Sequence, residues 1–291
     1  MSPPTHPTTV ARFLAETLKS YGVSHVFYVD AILRRTMVEL EDLGIRRVVT
    51  HSEKAAAYMA DGYARISRRA GVCLAQSVGA ANLASGLQDA YLGHSPVVAL
   101  TGKKPPAFQH RHAYQEIDHS PLFQPVTKFN ADIATPEQLP LLLRQAFRSA
   151  LSGAPGPVHL DLLGHNGRAL EAATGEFGPA GAEQPVAFPL RRPRPDPDEV
   201  TQAAAAIAAA KRPVIVAGGG VTLGSAAQTE LATLAEKLSI PVATSVNGKG
   251  AILDTHPLSV GVVGSYSARC ANQVVAEADL VIFVGSGTGD Q

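Results

Sequence analysis

Only two cysteines occur in 291 residues, Cys73 and Cys270, far apart in the chain. Neither a disulfide framework nor a zinc ribbon can be built from them. An excess of one charge is also lacking, since 25 Lys and Arg balance 25 Asp and Glu. No basic field is left to hold nucleic acid or an anionic membrane, and there is no acidic tail. No apolar run approaches the ~20 residues that cross a bilayer. The start, Met1-Ser2-Pro3-Pro4, lacks a cationic segment followed by an apolar one, so we expect no secretory signal and a cytoplasmic location. The phosphate loop G-x-x-x-x-G-K-[ST], the nucleophile elbow G-x-S-x-G and the zinc helix H-E-x-x-H are all absent. The expected partner is a small molecule or another protein.

What is present is an α/β rhythm. Short β-branched runs (His25–Val29, Arg47–Thr50, Val72–Ala75, Val97–Thr101, Val158–Leu162) alternate with helix-length stretches (Val10–Tyr21, Ala31–Leu43, Glu53–Arg65, Ala80–Tyr91, Pro136–Leu151). That pattern predicts a doubly wound, mostly parallel sheet with helices on both faces, over residues 1–175. Residues 176–198 carry Pro179, Pro185, Pro189, Pro193, Pro195 and Pro197, a composition that reads as a linker. The rhythm restarts over 199–291 as a second α/β domain, with too few strands for a complete sheet. Its Gly218-Gly219-Gly220 follows a strand, but the next glycine is Gly224, so the dinucleotide spacing fails and a tight turn is the simpler reading.

Polar residues collect at strand ends between Thr50 and Asn130, where ligand sites of open α/β sheets lie. Glu53 follows one strand and opens a helix rich in alanine. From spacing alone it is either a helix-dipole residue or a site carboxylate. Gln76-Ser77-Val78-Gly79-Ala80-Ala81-Asn82 is a small-residue turn that lets a ligand approach the backbone, and Tyr114-Gln115-Glu116 lies on a loop. His110 and His112 read as solvent-facing, and no metal ligand is assigned.

These residues also fit a family pattern. His51-x-Glu53, Ala56-Ala57-Tyr58-Met59-Ala60-Asp61-Gly62-Tyr63-Ala64-Arg65, Gly79-x-x-Asn82, Asp89-Ala90-Tyr91, Thr101-Gly102 and Tyr114-Gln115-Glu116 resemble the pyrimidine-binding domain of thiamine-diphosphate enzymes, in the acetolactate synthase, benzaldehyde lyase and benzoylformate decarboxylase group. Arg212-Pro213-Val214, Ile240-Pro241-Val242, His256-Pro257-Leu258 and Glu277-Ala278-Asp279-Leu280 resemble its middle domain.

The resemblance implies a decarboxylase or carboligase acting on 2-oxo acids. Glu53 is then the carboxylate that bonds the aminopyrimidine and promotes loss of the cofactor's C2 proton. Gln115 would reach the reacting substrate, while Gln76, Ser77, Gly79 and Asn82 would border the cofactor. Asp30 and Ala31 stand where the group has a longer Pro-Gly-Gly type turn, so they would line the substrate pocket. The family's Gly-Asp-Gly motif, which binds magnesium and through it the diphosphate, is absent. We therefore expect a second subunit to carry that motif and hold Mg2+, in a heterotetramer or larger. The other reading open to the sequence is a non-catalytic regulatory or scaffold subunit. FAD is not expected, because Gly285-Ser286-Gly287-Thr288 replaces the family's flavin-contacting Arg.

Overall fold

A computed structural model describes residues 7–164, 167–178, 193–224 and 226–289. The chain divides into two compact units, Met1–Arg192 and Pro193–Gln291. Residues 179–192 of the expected linker, and Asp290 and Gln291, lie outside the described residues. Among the described residues no helix is long and apolar enough to cross a membrane.

The first unit contains six parallel strands: β1 (His25–Tyr28), β2 (Arg46–Val49), β3 (Gly71–Gln76), β4 (Val97–Lys103), β5 (Phe129–Ile133) and β6 (Val158–Leu163). Their order is β2-β1-β3-β4-β6-β5. The chain first winds outward from β1 to β2, then crosses back to β3, so a topological switch lies between β1 and β3. The carboxyl ends of the strands at such a switch are the usual ligand position in sheets of this kind. The main helices are α1 (Val10–Ser20), α2 (Arg34–Asp42), α3 (Glu53–Ser67), α4 (Gly79–Leu92) and α5 (Leu139–Leu151).

Local chemistry explains the elements that reach the site. In α1 the Thr9 side chain accepts from the Arg12 amide at 3.1 Å, and Val10, Phe13, Leu14, Thr17 and Leu18 form one buried stripe. The start of α3 is capped by Ser52, whose hydroxyl accepts from the Ala55 amide at 3.2 Å. Its Ala56, Ala57, Ala60 and Ala64 are buried. These small residues let α3 lie close to its neighbours: a Cβ on Gly86 of α4 would stand 2.7 Å from Ala57 Cβ and 2.9 Å from the Lys54 carbonyl. Leu83, Leu87, Ala90, Val97, Ala99 and Phe123 complete this core. At the carboxyl edge, the Thr50 amide donates to the Tyr28 carbonyl at 2.8 Å, continuing the β1–β2 ladder to the residues before Glu53.

Two expected boundaries change. Helix α2 begins at Arg34 rather than Ala31, because Ala31 and Leu33 take left-handed φ values of 97° and 47°, which an α-helix cannot contain. The edge strand β5 was not anticipated: Phe-Asn-Ala-Asp-Ile lacks the apolar content of an inner strand, and all but Ile133 remain partly open.

The second unit contains β7 (Pro213–Ala217), β8 (Val242–Thr244), β9 (Ser259–Val262) and β10 (Leu280–Val284), parallel and in the order β9-β8-β7-β10. Helices α6 (Pro197–Ala209), α7 (Ala227–Leu238) and α8 (Arg269–Ala276) accompany them. The triple-glycine turn is filled by the end of β10. The Gly218 amide donates to the Val284 carbonyl and the Gly220 amide to the Gly285 carbonyl, both at 2.8 Å. A Cβ on Gly218 would lie 2.3 Å from that Gly285 oxygen. These glycines therefore serve backbone packing rather than an anion.

Candidate active site

Glu53 is the first residue of α3, half-buried at the carboxyl edge of the sheet, while His51 beside it is exposed. Its Oε2 accepts from Asn82 Nδ2 at 3.3 Å. Gly79 lies against the same carboxylate: a Cβ there would stand 2.3 Å from Oε1 and 2.8 Å from Cδ. Gly79 opens α4 and Asn82 sits one turn on, so the spacing G-x-x-N puts both on the side that faces Glu53. One residue yields space, and the other donates a hydrogen bond.

Ser77 forms the wall behind Gly79. It is buried, with φ of 25°. Its amide donates to the Gly102 carbonyl at 2.8 Å, and its hydroxyl donates to the Gln115 carbonyl. Gln76, half-buried, ends β3 in register with Gly102 of β4. Gln115 is half-buried, with φ of 60°. The loop before it is held by Glu116, whose carboxylate accepts from the His110 amide and, at 2.9 Å, from the Ala113 amide. Those amide bonds hold the Glu116 carboxyl below its ordinary range.

The structure thus brings Glu53, Gly79 and Asn82 into one contact set and Ser77 with Gln115 into a second, joined through the short turn 77–79. Among the described residues, neither Asp30 nor Ala31 makes a hydrogen bond to either set. The Asp30 carboxylate turns back on its own segment, accepting from the Ala31 amide at 2.7 Å and lying 3.5 Å from Arg34 Nη2.

Sequence reasoning did not anticipate the buried polar cluster behind the Ser77 turn. Thr101, His119, His159 and Asp161 are each fully buried. Burial drives the His159 pKa down to about 3, so that ring is neutral. Lys103 reaches Asp132 at 2.9 Å and Asp161 at 3.4 Å. Burial opposes its charge, but the two carboxylates outweigh that and raise its pKa. A weak signal was available: Thr101, His159 and Asp161 are polar residues inside otherwise apolar strand runs.

The pyrimidine half of a thiamine-type cofactor fits the Glu53 set. It needs a carboxylate to accept from a ring nitrogen beside backbone that a side chain does not cover. Glu53 Oε1 has no hydrogen-bond partner among the described residues, and Gly79, without a Cβ, gives the carboxylate room to lie there. The Gly-Asp-Gly motif that would hold the diphosphate half through magnesium does not occur in the sequence.

Comparison with known proteins agrees. Residues 8–122 match the thiamine pyrophosphate enzyme N-terminal TPP-binding domain, and residues 200–291 match the central domain of the same enzymes. A probable acetolactate synthase large subunit of Methanocaldococcus jannaschii is 39% identical over 287 residues, covering 97% of this chain and 47% of that protein. The acetolactate synthase isozyme 1 large subunit of Escherichia coli (strain K12) is 34% identical over 288 residues, covering 97% and 49%. A sulfoacetaldehyde acetyltransferase of Alcaligenes xylosoxydans xylosoxydans is 34% identical over 291 residues, covering 98% and 46%. The chain spans about half the length of the curated relatives it matches. With a pyrimidine-binding and a central domain both recognised in it, this chain belongs to the thiamine pyrophosphate enzyme family.

Proposed function

We propose that the chain is the cofactor-activating part of an acetolactate-synthase-like enzyme, a thiamine-diphosphate-dependent carboligase or decarboxylase acting on 2-oxo acids. The observation that carries the reading is the Glu53 carboxylate, at the carboxyl edge of the sheet and fitted to Gly79 and Asn82. When bound, the cofactor supplies an acidic C2–H whose deprotonated form adds to a carbonyl carbon. Glu53 Oε1 would accept from the aminopyrimidine N1′–H, and that proton would shuttle between the carboxylate and the ring. Asn82 orients the carboxylate through Oε2. Gly79 leaves the carboxylate the room it occupies, and Gln115, tied to the Ser77 turn, would present its amide to the substrate.

In this reading the diphosphate and its magnesium are held by residues outside these 291. In our proposal those residues belong to a Gly-Asp-Gly domain on a partner polypeptide, in a heterotetramer or larger. The experiment is to express the chain alone and with a diphosphate-binding partner, and to measure 2-oxo acid consumption with thiamine diphosphate and magnesium added or withheld. Consumption that needs both cofactors supports the proposal. Tight magnesium-dependent cofactor binding by the 291-residue chain alone overturns the division of the site. Turnover without thiamine diphosphate overturns the function.

A further inference from the structure

The cluster behind the Ser77 turn is not used by the reading above. His119 is fully buried, and its Nε2 lies 2.9 Å from the Ser77 carbonyl oxygen. A carbonyl can only accept, so this nitrogen carries a proton. Its other ring nitrogen, Nδ1, lies 2.9 Å from Asp161 Oδ2. Burial opposes ionisation of Asp161, yet attraction from the nearby His119, with help from His159 and the Thr101 hydroxyl, holds its carboxyl below the ordinary range. The Thr101 hydroxyl lies 3.3 Å from the same Nδ1, so the ring has a polar neighbour at both ends.

Ser77 needs such a fixture. It carries a side chain at φ of 25°, a backbone region that ordinary residues avoid unless their surroundings impose it. The Gly102 carbonyl fixes its amide and the Gln115 carbonyl its hydroxyl. The carbonyl that leads into Val78 and Gly79 accepts from the Ala80 amide at 2.9 Å inside the turn, and His119 Nε2 is the side chain that ties it to the rest of the fold.

We propose that His119, backed by Asp161, is a positioning residue: it clamps the Ser77 carbonyl and so holds the Ser77–Gly79 turn in place against the Glu53 carboxylate. The catalytic consequence rests on the function proposed for Glu53, but the clamp itself can be tested without cofactor. Ligand-type atoms of His119, His159 and Asp161 lie within 4.8 Å of one another. The Thr101 hydroxyl stands among them, 2.6 Å from His159 Nε2, 2.8 Å from Asp161 Oδ1 and 3.3 Å from His119 Nδ1. It fills the space a cation would need.

The test uses the full chain and the variants His119→Gln, which keeps a donor for Ser77, His119→Leu, which fills space without one, and Asp161→Asn. Nitrogen-15 NMR of the histidine-labelled wild type should find the His119 Nε2 nitrogen protonated. Amide exchange over 77–82 should quicken roughly tenfold in His119→Leu, the factor that loss of one hydrogen bond carries. It should stay within about threefold of wild type in His119→Gln, while exchange in β7 is unchanged in both. Asp161→Asn carries the test if His119→Leu fails to accumulate, and its 77–82 exchange should also rise. In the assembled enzyme, His119→Leu should lower kcat with little change in KM, and His119→Gln should restore it. An unprotonated His119 Nε2, a stoichiometric metal ion in the purified chain, or equal exchange in the Leu and Gln variants overturns the clamp. A clamp that passes these tests in a protein with no thiamine-diphosphate-dependent activity overturns the reading of Glu53 instead.

Discussion

Gly79→Ala separates the placement of Glu53 from the stability of the fold. The added methyl would stand 2.3 Å from Glu53 Oε1, 2.8 Å from Cδ and 3.0 Å from Cγ, whereas ordinary contact begins near 3.4 Å. The carboxylate must therefore retreat by about 1 Å. It is the end of a flexible side chain and can do so without moving the backbone. Alanine is also the better helix former, by up to about 1 kcal/mol, so stability should hold within about 1 kcal/mol, or about 2–4 °C in melting temperature. A 1 Å misplacement of a catalytic group costs roughly 10²-fold, about 2.7 kcal/mol on the barrier. Thermal unfolding of the full chain and turnover of the assembled enzyme should be measured side by side. Turnover within about threefold of wild type would refute the fitted placement of Glu53. So would a melting temperature lower by more than about 8 °C, since the backbone rather than the carboxylate would then have yielded.

Glu53→Gln should leave circular dichroism unchanged and lower turnover by roughly 10²–10⁴-fold; full activity would remove Glu53 from the chemistry. Gly86→Val should cost about 1–3 kcal/mol by urea titration, because its Cβ alone already meets Ala57 and Lys54 of α3; an unchanged midpoint would contradict that close packing. The buried His159, with its pKa near 3, stays neutral when folded, while the unfolded chain takes up its proton below about pH 6.5. Stability should therefore be fully present above that pH and fall as the pH is lowered from about 6.5 toward 3, less steeply in His159→Gln; identical slopes would rule this out. Protein purified without added flavin should show no visible flavin absorption. The missing Arg removes a charge-assisted bond of ~1.5–3 kcal/mol, and a stoichiometric yellow chromophore would reverse that expectation.

The inner strands were legible because β-branched runs between turn residues leave few alternatives. The edges were not. Phe129–Ile133 and Ser259–Val262 are half-open strands whose composition resembles loop, and only pairing with β6 and β8 makes them strands. In the site, Glu53, Gly79 and Asn82 stood out through the family pattern, yet the contact joining Glu53 to Asn82 spans 29 positions and has no periodic signature. The same holds for His119, whose bond to Ser77 spans 42 positions, and for Glu171, which accepts from the Arg35 amide across 136 positions to cap α2. Local pattern shows which face of an element is buried; it does not show which polar group across the fold completes it.

The most direct measurement of the central claim is the rate of hydrogen–deuterium exchange at C2 of thiamine diphosphate bound to the assembled enzyme, compared between wild type and Glu53→Gln. The wild type should accelerate exchange over free cofactor, and the variant should lose at least about 10² of that rate while still binding the cofactor. Equal exchange in the two, with cofactor bound in both, would contradict the assignment of Glu53 as the activating carboxylate.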